Sequence, residues 1–185
     1  MSGDTAQGAG EHHDQDQPTE TMWEGNFIAA KRCGKWEYVT RTRGIKAAVI
    51  LAIDDGHVLL VEQFRVPLGR NCIELPAGLI GDETAGEDPL EAAGRELEEE
   101  TGYRAARLEN LGEYYSSPGM VSESFTLVRA HDLTKVSSGG GVAGENITVH
   151  RIAIAALPDF LSQKRNMGLA IDVRLLMLPG MVEFT

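Results

Sequence analysis

Four of the eight residues from Arg95 to Gly102, RELEEETG, are glutamates. Like charges one helical turn apart cost roughly 0.2–0.5 kcal/mol per pair, so either something compensates them or they face different ways. At about 100° per residue, Leu90, Ala93, Gly94, Leu97 and Thr101 share one arc of a helix, which is the face that meets a core. Glu96, Glu99 and Glu100 gather within about another 100° of arc beside that seam, while Glu91 and Glu98 lie on the opposite flank. Arg95 stands four residues from both Glu91 and Glu99 and can pair with either. Hard divalent cations such as Mg²⁺ take carboxylate oxygens, commonly with substrate phosphates and water. Spacing alone leaves two readings open: a cation-holding triad, or an acidic solvated face laced with Glu/Arg pairs.

The helix that positions these acids runs from Pro89 to Thr101, with proline at its start and Gly102 just past its end. Gly94 inside it costs about 1 kcal/mol relative to alanine; it either permits close packing or is simply tolerated. Before the helix, FIAAKR and KWEYVTRTR read as a hairpin-like pair of strands. Ala47–Ile53 and His57–Phe64 flank a DDG turn, and Cys72–Leu75 is a further short strand. After it, EYYSS, SFTLVRA and ITVHRIAIAAL supply more strands. Helical patterning returns from Pro158 toward Lys164 and in AIDVRLLML. Strands mixed with few helices predict an α/β or α+β sandwich. Ser137–Asn146, SSGGGVAGEN, is a glycine-rich loop too irregular for a phosphate-binding turn.

A chain of 185 residues with 42% hydrophobic content suits one domain with an appendage. Its net charge of −11 argues against a nucleic-acid partner, yet a bound cation would still admit an anionic small substrate. Cys33 and Cys72 form no CxxC pair, so neither a zinc site nor a disulfide is expected. There is no leader-like apolar N-terminus and no run near the roughly 20 apolar residues of a membrane span, so a soluble cytoplasmic protein is expected. Residues 1–21 read as a disordered acidic tail, carrying His12 and His13. Residues 22–45 form a strand and hairpin region, and 46–185 the main domain. His57, His131 and His150 are isolated and read as structural or surface residues.

The segment Gly81–Tyr103, GDETAGEDPLEAAGRELEEETGY, resembles the Nudix box, Gx5Ex7REUxEExGU with U aliphatic. Gly81, Glu87, Arg95, Glu96, Leu97, Glu99, Glu100 and Gly102 fill their places, and Tyr103 departs at the last aliphatic slot. SSPG at Ser116–Gly119, followed by Glu123, resembles the marker of ADP-ribose pyrophosphatases, with Pro118 sixteen positions beyond Gly102. KWEYVTR, LLVEQFRVP and IELPAGLI resemble the N-terminal half of the same subfamily, and the likeness covers nearly everything after residue 22. One departure is an extra three residues between Gly78 and Glu87, so that Gly81 rather than the AG pair supplies the first glycine of the box.

The resemblance implies an α/β/α Nudix sandwich around a mixed sheet, with an N-terminal β-hairpin extension. It implies Mg²⁺- or Mn²⁺-dependent hydrolysis of ADP-ribose to AMP and ribose 5-phosphate. A related nucleotide sugar such as GDP-mannose is the alternative substrate, and a non-catalytic nucleotide sensor the distant one. Carried over, Glu96, Glu99, Glu100 and the Ala77 carbonyl are the metal ligands. Glu145 in the glycine-rich loop is the expected general base, with Glu99 the catalytic candidate on the helix. Trp36 is the base-stacking residue, with Trp23 a weaker second, and Arg41 and Arg65 contact phosphate or ribose. Pro118, Gly119 and Glu123 complete the substrate site. The subfamily pairs its first strands across a two-fold axis, which implies a homodimer with shared sites.

Overall fold

Nine consecutive residues, Lys46–Asp54, show how the sheet is built. Such a strand turns alternate side chains to opposite faces. Ala48, Ile50 and Ala52 enter one apolar cluster, Val49 and Leu51 another, and all five are fully buried or nearly so. A strand buried on both faces must lie between two covering layers. In the computed structural model, which describes residues 17–81, 86–142 and 144–178, those layers are two helices.

The strands are β1 (Thr19–Glu24), β2 (Ile28–Cys33), β3 (Trp36–Arg41), β4 (Lys46–Asp54), β5 (His57–Arg65), β6 (Arg70–Glu74), β7 (Ala77–Ile80), β8 (Tyr103–Tyr115), β9 (Ser124–Lys135), β10 (Thr148–Ala153) and β11 (Ala170–Ile171). The helices are α1 (Pro89–Thr101) and α2 (Leu157–Asn166). Two compact units divide the chain, residues 1–44 with 115–123 and residues 45–114 with 124–185.

In the larger unit an eight-stranded sheet runs β11-β6-β5-β4-β9-β8, with β10 paired to β5 and β7 to β4. It is mixed: β4 lies parallel to β9 and β11 parallel to β6, whereas β4–β7, β5–β6 and β5–β10 are antiparallel. On one face Ala92, Ala93 and Leu97 of α1 close over Ala48, Ile50, Ala52 and Val128. On the other, Leu157 and Leu161 of α2 pack with Val49, Leu51, Leu60 and Ile73. The α/β/α sandwich is therefore present. Among the described residues no helix is long and apolar enough to cross a membrane.

The smaller unit departs from the expected hairpin by one strand. β2 and β3 pair as expected, and β1 adds to the far side of β2, with Thr19 opposite Cys33. Thr19–Thr21, expected at the end of a disordered tail, are thus strand; the rest of that stretch up to residue 16, His12 and His13 included, lies outside the described residues. A second correction falls on AIDVRLLML. Ala170–Ile171 is a short strand held by β6, and a 3₁₀ turn capped by the Asp172 side chain follows at Val173–Met177 in place of an α-helix.

Candidate active site

The helix that carries the acids is bounded by local chemistry. The Asp88 carboxylate accepts a hydrogen bond from the Leu90 N–H, Pro89 opens the first turn, and Gly102, at φ +75°, closes the last. Gly94 meets the side chain of Leu108, whose Cδ1 would stand 3.1 Å from a Cβ added there.

The acids then sort themselves. Arg95 reaches Glu96 Oε1 at 2.9 Å, Glu87 Oε1 at 3.5 Å and Glu99 Oε2 at 3.5 Å. Burial works against the Arg95 charge, but Glu96 and Glu87 outweigh it and hold the guanidinium protonated above its ordinary range. Glu98 turns away to Arg104 at 2.7 Å and Glu91 is exposed. Glu100 is different. It is only 4% exposed, and its Oε2 accepts a hydrogen bond from the Ala77 N–H at 3.0 Å. Burial, with Glu96 and Glu145 nearby, pushes its carboxyl up to about 8 against the pull of that hydrogen bond and of Arg65.

The Ala77–Gly78 step is the floor of the cluster. A Cβ on Gly78 would overlap the Glu96 carboxylate, so glycine there lets a charged side chain lie directly on backbone. Gly81 N–H donates to Glu87 Oε2 at 3.2 Å, joining that floor to the segment before α1. Residues 82–85, where the extra three fall, lie outside the described residues. Among the described residues no three acidic, histidine or cysteine side chains converge closely enough to cage an ion. Arg95 pairs with two of the candidates, Glu96 and Glu99.

A Nudix domain profile matches residues 42–155, more than half of the chain, and the match contains the whole cluster. The chain belongs to the Nudix hydrolase family. It is 37% identical over 153 residues to an uncharacterized Nudix hydrolase of Schizosaccharomyces pombe, covering 76% of this chain and 73% of that one. It is 42% identical over 87 residues to an ADP-ribose pyrophosphatase of Bacillus subtilis, covering 47% and 45%. The crystal structure of an ADP compounds hydrolase superposes with a TM-score of 0.66 over 90% of this chain and 92% of that one. At 24% identity that likeness shows the Nudix fold alone.

The other expected site residues lie in different surroundings. Glu145 sits in the glycine-rich loop, exposed, its Oε2 accepting from the Val142 N–H at 2.9 Å and its charge felt at Glu100. Arg65 makes a two-pronged pair with the buried Glu74, at 2.7 and 2.9 Å, so two of its N–H groups face a carboxylate rather than open solvent. Glu74, missed in the sequence reading, also lies 3.8 Å from Arg174 and helps burial push the neighbouring Cys72 thiol up to about 12. Its signal was a charge inside the apolar strand CIEL. Glu87 and Gly78 were missed as well, although Glu87 fills a box position.

In the smaller unit Trp36, Pro118 and Gly119 line one cavity of about 420 Å³ with Tyr38 and Cys33. Trp36 is 51% exposed, an aromatic face open to a ligand. Arg41 Nε donates to Glu123 Oε1 at 2.6 Å, so two expected substrate contacts meet each other. Trp23 is exposed, lies over Gly25 and is not among the residues lining that cavity. His57, His131 and His150 lie apart, against the Asp55 carbonyl, Glu109 and Glu62.

Proposed function

We propose that the protein hydrolyses the pyrophosphate of ADP-ribose to AMP and ribose 5-phosphate, using Mg²⁺ or Mn²⁺ held by Glu96, Glu99 and Glu100. Glu100 carries this reading. A buried carboxyl with one backbone N–H and two acidic neighbours is held from ionising, and a hard divalent cation beside it would relieve that. The donor set fits such an ion, being three carboxylates beside the Ala77–Gly78 backbone, all oxygen. Glu96 and Glu99 would exchange Arg95 for it. When bound, the cation neutralises phosphate charge and makes water a better nucleophile at neutral pH.

The remaining work falls to the chain. Glu145 would accept the proton of the attacking water at a carboxylate oxygen, with Glu99 the alternative base on α1. Trp36 would stack on the adenine above Pro118 and Gly119, where aromatic stacking contributes about 1–3 kcal/mol per base. The Arg41–Glu123 pair would engage ribose or phosphate, and Arg65, braced by Glu74, would face the phosphates. The B. subtilis relative's name supports ADP-ribose as substrate.

A homodimer is part of the reading, supported by Met22, Trp23, Phe27 and Ile28, which residues 22–45 leave exposed. Size exclusion with light scattering should give twice the chain mass at micromolar concentration. A cytoplasmic location is part of the same reading, supported by two cysteines that form no CxxC pair.

The deciding experiment is a panel of nucleotide sugars with phosphatase-coupled phosphate release, run with Mg²⁺ and with EDTA. ADP-ribose should give the highest kcat/KM, and EDTA should abolish it. A preference for GDP-mannose would replace the substrate, and binding without turnover of any member would make the protein a sensor.

A further inference from the structure

The glycine-rich segment after β9 is backbone laid along the end of α1. Gly140 N–H donates to the Glu100 carbonyl at 2.8 Å and Gly141 N–H to the Glu99 carbonyl at 3.0 Å. Val136 N–H and Ser137 N–H donate to the Gly102 carbonyl at 2.8 and 3.1 Å. The last carbonyls of a helix have no partner inside it, and here a segment distant in sequence supplies the donors. The contact is backbone on backbone. A Cβ on Gly139 would stand 2.6 Å from the Gly102 nitrogen and closer still to the Thr101 carbonyl carbon. One on Gly102 would stand 2.6 Å from the Gly139 nitrogen and overlap the Ser137 carbonyl oxygen. Gly139 also sits at φ +65°, so a side chain there is excluded twice. Beyond the contact the segment turns back, Ile147 N–H donating to the Gly140 carbonyl, and presents Glu145.

We propose that this segment is the positioning clamp of the catalytic helix, with Gly139 and Gly102 as its contact pair, and that it fixes Glu99 and Glu100 against Glu145. The inference rests on the reading of α1 as the cation-holding helix. Of the three carbonyls that the loop grips, two belong to Glu99 and Glu100, whose carboxylates are proposed cation ligands. Moving the loop moves both sides of the site at once, and displacements of about 1 Å can cost about 10²-fold in rate. Gly139 is a positioning residue, since its atoms meet the Thr101–Gly102 backbone and the Ser137 and Ser138 hydroxyls and none of the acids of the cluster.

Two measurements test this. The first is Gly139→Ala in the full chain. Its kcat should fall by about tenfold or more while KM for ADP-ribose stays within about twofold. Mn²⁺ affinity of the substrate-free protein, read by electron paramagnetic resonance, should weaken by about fivefold or more. A folded variant with wild-type Mn²⁺ affinity overturns the proposal. The second measurement needs no variant. In hydrogen exchange on the wild-type protein, the Gly140 and Gly141 amides should share the protection of the Gly102 amide at the helix end. Exchange of those two amides at the rate of free loop overturns the proposal even if Gly139→Ala does not fold. Should the wild type hydrolyse no nucleotide sugar, the functional reading fails alone, because the Mn²⁺ and exchange readouts still decide the clamp.

Discussion

Replacing Glu100 by glutamine should make the cation-free protein more stable and the cation-loaded one no better. The Glu100 carboxyl lies near 8 in the fold against an ordinary 4.5, raised first by burial and then by Glu96 and Glu145. A folded acid that holds its proton more tightly than the unfolded one costs stability as pH rises. The loss begins near pH 4.5 and is complete near pH 8. At roughly 1.4 kcal/mol per pKa unit, the cost at pH 7.5 is on the order of 2–4 kcal/mol. Glutamine removes the charge, keeps an oxygen for the Ala77 N–H and gives the Glu96 and Glu145 carboxylates a donor to share. In EDTA at pH 7.5, Glu100→Gln should therefore melt roughly 5–10 °C above wild type, with a flatter dependence on pH from 4.5 to 8. Mn²⁺ at 100 times its Kd should add about 2.7 kcal/mol to the wild type and little to the variant. Differential scanning calorimetry with and without Mn²⁺ reads both effects. A variant less stable than wild type in EDTA, or one with an equal Mn²⁺ shift, would refute the idea that Glu100 is a charge kept for a cation.

Trp36→Ala should raise KM for ADP-ribose by about 5- to 150-fold, the equivalent of 1–3 kcal/mol of stacking, with kcat within about twofold; an unchanged KM in steady-state kinetics removes Trp36 from the base site. Glu145→Gln should lower kcat at least about tenfold and leave substrate Kd by calorimetry nearly unchanged, whereas full turnover would return the base role to Glu99 on α1. Glu62 tests the α2 face. Burial works against its charge, yet hydrogen bonds from Lys164, Asn71 and His150 outweigh it and bring the carboxyl down to about 2. Its stabilisation is thus complete above about pH 4.5 and lost as pH falls toward 2. Glu62→Gln should cost about 1–2 kcal/mol at pH 7 after solvent screening, and its difference from wild type in urea unfolding should vanish near pH 2.

What could be read in the sequence was what local chemistry controls. The bounds of α1 were legible because Asp88, Pro89 and Gly102 act within a turn of where they stand. β4 was legible because an unbroken apolar run suits only a strand covered twice. β1 was not, since every residue of TETMWE is exposed and its ties to β2 are main-chain pairing and an exposed Glu20–Arg32 ion pair, which apolar patterning does not encode. AIDVRLLML carries helical spacing, but Ala170 and Ile171 are taken by β6, and the Asp172 side chain caps a 3₁₀ turn directly after them. Periodicity likewise put Glu100 on a flank of the helix. It is buried because the Ala77–Gly78 backbone, far away in sequence, lies over it. Nor does any spacing rule show that Gly139 must touch Gly102, because that requirement exists only once two distant backbones meet.

The crowding of acids in RELEEETG resolves into a graded arrangement rather than a uniform one. Glu98 is taken by Arg104, and Glu87, Glu96 and Glu99 share Arg95. Among the described residues Glu100 alone of the helix's last three acids has no ion pair within 4.0 Å, and it is also the most buried of them. On the proposed reading Arg95 would release Glu96 and Glu99 to a stronger cation; its pairs with them are only partly buried and differ in length, 2.9 against 3.5 Å. A fold built for stability alone would place the guanidinium against the buried acid, where an unpaired charge costs most. Here it stands against the less buried ones, so a carboxyl with no cationic partner within 4.0 Å among the described residues remains at the bottom of the cluster, and on the proposed reading an entering divalent ion would let it ionise.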